Sequence, residues 1–260
     1  MFRALAELPL VAGLLLFVVV PSLISACVPA LIRRVSPVGQ FRENNEFAAI
    51  TYPVIGLFYG VFLAFAIVIV WQRFTDAESS ASREVAALGE LWRDAGALPA
   101  DDRDRVQAGI KSYLGAVIEH EWPAMASPRA DTVRDAAYDA LWQSIYAFEP
   151  KSEREKAFFS EAITQLNAVG EGRRERLMFS AAQMPPLLWA FLLFGASVTI
   201  VFSYFLGTTH VWTHALTCAG LTSIVGFSLL LIMSLQFPFA GSVSITNAPY
   251  VDLLQALGNK

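Results

Sequence analysis

Four long apolar runs, at residues 9–32, 47–71, 187–206 and 211–235, contain no Asp, Glu, Lys or Arg. Each reaches the roughly 20 residues that carry a helix across a bilayer core, where every backbone N–H and C=O must be satisfied within the segment. Residues 72–185 are ordinary polar sequence. The order is therefore two spans, an insert, then two spans. This predicts an all-α integral membrane protein with four transmembrane helices and a helical cytoplasmic insert between the second and third, divided as 1–71, 72–185 and 186–260.

Composition agrees, with 55% of residues hydrophobic, 16% charged and a mean hydropathy of +0.48. The net charge of −4 leaves no basic footprint for nucleic acid, which is discounted as a partner. Cys27 and Cys218 both lie in apolar runs, so no disulfide framework organises the fold. Ile24-Ser25-Ala26-Cys27 has the form of a lipoprotein cleavage box. The apolar run continues past it to Arg33-Arg34, so a retained first helix is the reading adopted.

Four spans place both termini and the insert on one face. Arg3, Arg73, Arg83, Arg173, Arg174, Arg176 and Lys260 flank the spans there, against Arg33, Arg34 and Arg42 on the other face, which predicts a cytoplasmic insert and cytoplasmic termini. Within the insert, Val85, Leu88 and Trp92, then Val106, Ile110, Tyr113, Leu114, Val117 and Ile118, then Ala137, Leu141, Ile145 and Phe148 recur at helical spacing. Ser152 followed by Glu155 has the form of a capping box opening a helix toward Gln183. No breaker separates Trp71 from Glu90, so the second span is expected to run on as one rod. The insert carries 19 acidic against 14 basic residues, a solvated surface or, in an oligomer, an acidic vestibule that concentrates cations.

In the second span Gly56, Gly60 and Ala64 recur every four residues and form a face that admits close helix packing. Phe58, Phe62, Phe65 and Ile69 run along another face. Contributed by several subunits, those rings form an apolar constriction, and a core or lipid-facing stripe explains them equally. Asn44, Asn45 and Glu46 stand at the start of this helix, where they serve either as caps or as a polar ring at a pore mouth in which Glu46 favours cations.

Ala215, Ala219, Ser223 and Gly226 make a small-residue face in the fourth span, and Gly195, Thr199 and Ser203 a weaker stripe in the third. Phe237-Pro238-Phe239-Ala240-Gly241 ends the fourth span in a turn. The three histidines offer no zinc motif. His210 and His214, one turn apart, read as an interfacial pair beside Trp212 rather than as metal ligands. There is no phosphate-cradling loop, catalytic nucleophile motif or intramembrane charge, so neither an enzyme nor a proton-coupled transporter is expected, and neither is a metal or cofactor.

Asn44-Asn45-Glu46, the stretch from Gly56 through Phe65, Trp71, Glu121-Trp122-Pro123, and Pro238-Phe239 with Gly241 together resemble the bacterial bestrophin-like membrane family, distantly similar to bestrophin ion channels. The resemblance covers nearly the whole chain. It implies a ring of subunits, such as a pentamer, around a central pore whose apolar neck is lined by the second helix, with the insert forming a vestibule. Only Asp252 is acidic after the fourth span, where animal bestrophins carry calcium ligands, so calcium gating is not expected.

The reading adopted is an oligomeric channel for inorganic ions, cations slightly favoured, with Asn44, Asn45 and Glu46 at the mouth, Phe58, Phe62 and Phe65 at the constriction, and Gly56, Gly60 and Ala64 as a packing face. The rival is a non-conducting membrane scaffold or sensor whose insert binds a cytoplasmic partner.

Overall fold

The computed structural model describes residues 2–35, 45–126, 136–206 and 210–258. Among them all regular structure is helical: α1 Phe2–Ala6, α2 Leu10–Leu14, a π-turn at Leu15–Val19, α3 Val20–Val35, α4 Asn45–Ala95, α5 Ala100–Ala116, a second π-turn at Val117–Glu121, α6 Trp122–Met125, α7 Ala136–Tyr146, α8 Glu153–Ala181, α9 Pro186–Tyr204, α10 Val211–Leu235 and α11 Ala248–Gly258. Four segments are long and apolar enough to cross a membrane: Leu10–Arg34, the helix from Ala48 onward, α9 and α10. The chain divides into two compact units, one formed by Met1–Gln72 with Gln183–Phe237, the other by Arg73–Ala182 with Pro238–Lys260. The tail thus belongs to the helical unit, and α4 contributes to both.

In the membrane unit, the first span lies along α10. A Cβ on Gly226 would overlap the Phe17 carbonyl oxygen, and one on Gly13 would press on Leu230, so glycine sets how closely the backbones approach. Hydroxyls fasten the same seam. Thr222 and Tyr204 donate to Ser25 Oγ at 2.8 and 3.0 Å, Ser25 donates to the Cys218 carbonyl at 3.1 Å, and Ser22 and Ser223 meet at 2.7 Å. Each such bond is worth on the order of 0.6–2 kcal/mol in a bilayer. Of the small-residue face expected in the fourth span, Ser223 and Gly226 meet the first span. His214, expected at the interface, is buried and its Nε2–H donates to the Ser203 carbonyl at 2.9 Å.

Both π-turns precede a proline in the same way. Val20 N–H reaches Leu15 and Trp122 N–H reaches Val117, each one residue before Pro21 or Pro123. A proline lacks the N–H and crowds the carbonyl four residues earlier, and the wider turn relieves that crowding. In the first span the carbonyl so released, that of Phe17, is the one set against Gly226.

The helical unit has a dry core in which Leu88, Leu91, Ile110, Leu114, Leu141 and Leu166 are fully buried. The second span does run on as a rod, through Ala95, and the turn at Gly96–Pro99 stops it. Helix α8 starts at the expected capping box: Ser152 Oγ accepts from Glu155 N–H at 3.2 Å and Glu155 accepts from Ser152 N–H at 3.1 Å. The N–H groups of Lys151 and Ser152 hold the Glu155 carboxyl below the usual range. Gly241, at φ 94, turns the chain after α10, and Ile245 N–H closes the turn on the Pro238 carbonyl at 2.8 Å before α11 begins.

Candidate functional site

The second span presents three faces. Tyr59, Leu63, Ala66 and Val70 are buried, and Tyr59 lies over Gly195 of α9, where a Cβ would strike its ring. Tyr52 donates to the Thr199 carbonyl at 3.3 Å. Phe62 turns toward α9, its ring centroid 4.1 Å from that of Phe191. Phe58 and Phe65 stay 74% and 64% exposed. Together with Val54, Phe191 and Phe194 these three phenylalanines line an open groove of about 470 Å³.

On the third face, no other group among the described residues comes within 4 Å of where a Cβ on Gly56 or Gly60 would stand, and Ala64 is exposed. Among the described residues of one chain the expected packing face therefore meets no neighbouring helix, and the contact with α9 is made on the side of Tyr59 and Leu63 instead. Of the expected mouth, Asn44 lies outside the described residues. Asn45 and Glu46 form the first turn of α4, and their side chains lie outside what is described.

The helical unit holds a second constellation, centred on Glu84 of α4. Its carboxylate accepts from Tyr113 at 2.6 Å, from Tyr250 at 2.8 Å, and from Arg176 through Nε at 2.8 Å and a terminal nitrogen at 3.1 Å. The same terminal nitrogen of Arg176 also donates to Glu121 at 2.8 Å, and Arg173 Nε donates to Glu121 at 2.9 Å. All four charged groups are buried. Two carboxylates and two guanidiniums cancel in charge, and each carboxylate is paired with at least one arginine, which is how buried charge is tolerated.

Aromatic rings close the hub. The Arg176 guanidinium lies 5.7 Å from the Trp122 ring centroid and 5.6 Å from that of Tyr250, and Trp122 meets Phe239 edge-on at 5.4 Å. Burial, reinforced by the Glu84 charge, pushes the Tyr113 and Tyr250 hydroxyls well above the usual phenol range. Burial opposes the charge on Arg176, and Glu84 with the two tyrosines outweighs it, holding the guanidinium charged.

Glycines and the second π-turn position these groups. A Cβ at Gly172 would collide with Glu84, and one at Gly170 with the Tyr138 hydroxyl, which donates to the Leu166 carbonyl at 3.1 Å. The π-turn before Pro123 carries Glu121. Sequence reasoning did not find this hub: Glu121-Trp122 entered through the resemblance, and Arg173 and Arg176 were counted as span-flanking charges. The available signal was Glu84 itself, a carboxylate inside the apolar stripe Ala77, Ala81, Leu88 and Leu91.

A family profile described as the Bestrophin-like domain matches residues 17–250. The chain is similar in structure to a point variant of a bacterial Bestrophin homolog from Klebsiella pneumoniae, at 13% identity and a TM-score of 0.71, over 93% of this chain and 97% of that one. A second variant of that homolog aligns at 15% identity and a TM-score of 0.67, over 96% and 98% of the two chains. At such identities the structural likeness speaks for the fold alone. No curated protein matches the chain. The profile runs from within the first span through the other three and ends at Tyr250, the residue that caps the hub, and the chain belongs to the Bestrophin-like family.

Proposed function

We propose that the protein is an ion channel, a homo-oligomeric ring of membrane-embedded subunits whose second spans surround a central pore. The observation that carries this reading is the second span itself: among the described residues of a single chain it leaves two apolar faces exposed, one bearing Phe58 and Phe65 and one bearing Gly56, Gly60 and Ala64. A ring gives each face a role. The glycine face admits a neighbouring subunit, and the phenylalanine face lines an apolar neck of the kind that gates by dewetting. Family membership supports the same assignment. Asn44, Asn45 and Glu46 mark the mouth, cations are slightly favoured, and the insert and termini lie in the cytoplasm beneath a bacterial inner membrane. Inorganic ions and lipid are the partners.

One observation favours the scaffold reading. Trp142 stacks on Tyr146 at 5.0 Å along α7, and Tyr146 is 64% exposed, an aromatic surface that a cytoplasmic protein would cover. Ion flux from liposomes reconstituted with the full chain separates the two. The channel reading expects potassium efflux well above protein-free liposomes; efflux equal to theirs under all salt and pH conditions leaves the scaffold.

A further inference from the structure

Two buried hydroxyls of the membrane unit are left over. Tyr59 of α4 and Thr199 of α9 are 6% and 3% exposed, and among the described residues neither side-chain oxygen has a hydrogen-bond partner. Other hydroxyls of the same unit are engaged: Tyr52 donates to the Thr199 carbonyl at 3.3 Å, Ser203 to the Ile200 carbonyl at 2.6 Å and Thr222 to Ser25 Oγ at 2.8 Å. A hydroxyl shut away without a partner is a cost that nothing in the single chain offsets. Both residues form part of the wall of the open groove of about 470 Å³ between α4 and α9. The Tyr59 ring covers Gly195, one helical turn before Thr199, so the two residues reach the groove at nearly the same depth.

That depth narrows the occupant. Tyr59 is the midpoint of the apolar run 47–71, and the oxygens of a phospholipid lie at the edges of a hydrocarbon core about 30 Å thick. A phospholipid therefore offers only its acyl chain here, which satisfies neither hydroxyl. The occupant has to carry its oxygen on its apolar body. The wall also favours a ring, since Phe58, Phe65, Phe191 and Phe194 line it and Phe62 tilts against Phe191 at 54°. A ligand hydroxyl both donates and accepts, which suits two protein hydroxyls that each lack a partner. Threonine populates two χ1 positions in a helix, so the Thr199 hydroxyl, held by no bond, is free to turn into the groove. An apolar wall with a few convergent polar groups is the usual make-up of a small-molecule site.

We propose that the groove between α4 and α9 is a binding site for a lipophilic phenol, its ring held among the phenylalanines and its hydroxyl meeting those of Tyr59 and Thr199. The site lies within one subunit and does not rest on ion conduction; a protein that passes no current would still bind.

The test is photolabelling of the full-length protein in detergent with a diazirine-bearing alkylphenol, the labelled residues being mapped by mass spectrometry. The parent is compared with a Tyr59→Phe, Thr199→Val double variant and with Val54→Trp. The double variant removes only the two unpartnered hydroxyls, so the fold should keep its parental unfolding midpoint. Val54 is half-exposed in the groove wall, and tryptophan there fills the space with both hydroxyls left in place. Expected are label on groove residues, protection by diisopropylphenol at least tenfold more potent than by diisopropylbenzene, which lacks the hydroxyl, and at least a fivefold loss of label in both variants. Equal protection by the two competitors, parental label in either variant, or label spread equally over Leu216 and Ile224, exposed on α10, overturns the assignment. A fall in the oligomer mass or the folded yield of the double variant also overturns it, because the hydroxyls would then serve a second copy of the chain or the fold.

Discussion

Tyr250 donates its hydroxyl hydrogen to Glu84 at 2.8 Å across 166 positions of sequence. That one bond fixes the tail helix to the rod that begins as the second span. Tyr250→Phe keeps the ring against Trp122 and Arg176 and removes only the donor, leaving a buried carboxylate oxygen one bond short. The expected cost is about 1–3 kcal/mol, seen as a lower midpoint of thermal unfolding in detergent and as faster amide exchange in α11. A midpoint equal to the parent's would mean that the contact between tail and rod is apolar in origin.

The hub's alkaline behaviour follows from the same geometry. The folded state raises the Tyr113 and Tyr250 hydroxyls above their usual value of 10.0, so above that pH the unfolded chain loses these protons first. Folded protein then binds more protons than unfolded protein, and stability falls as pH rises, by about 1.4 kcal/mol per pH unit for each tyrosine. Near neutrality, well below 10.0, the pair contributes no slope. Tyr250→Phe should remove one proton's worth of the alkaline slope, measured by urea unfolding of the detergent-solubilised protein between pH 9.5 and 11.

Arg176 stands between two buried carboxylates, and replacing it leaves both without their shared counter-charge. Arg176→Met is expected to cost about 3–5 kcal/mol, enough to lose most folded protein on purification. Arg154→Met, on the exposed start of α8, should leave yield and unfolding midpoint within about 0.5 kcal/mol of the parent.

Two glycines of the membrane unit should respond in opposite ways. Gly195 lies under the Tyr59 ring, so Gly195→Leu forces α9 from the second span at a cost of about 1–3 kcal/mol or more. Gly60 has no neighbour within 4 Å of its Cβ position among the described residues. Gly60→Leu should leave the unfolding midpoint of the subunit unchanged and dissociate the oligomer, read as a fall in mass by light scattering in detergent. A Gly60→Leu protein of parental mass would remove this face from the subunit interface.

The spans, the long rod and the Ser152–Glu155 cap were legible because each is written in local pattern: apolar length, absence of breakers, and a pair of residues at fixed spacing. The π-turns were not anticipated, although Pro21 and Pro123 mark both, because a proline near a helix start also reads as an ordinary N-terminal position. The hub escaped for a different reason. Glu84, Tyr113, Glu121, Arg176 and Tyr250 come from helices distant in sequence, and pairing of charge over such separations leaves no periodic signal. Phe58 and Phe65 were legible as a stripe, but periodicity cannot tell a neck from a lipid-facing surface, and the single chain, which leaves both exposed, states the same question in three dimensions.

That question is answered most directly by single-particle imaging of the detergent-purified full chain. The account predicts a symmetric ring of identical subunits with the second spans around the central axis, Phe58 and Phe65 turned inward and the Gly56–Gly60 face against the neighbouring subunit. A monomer, or a dimer with no axial opening, would contradict it.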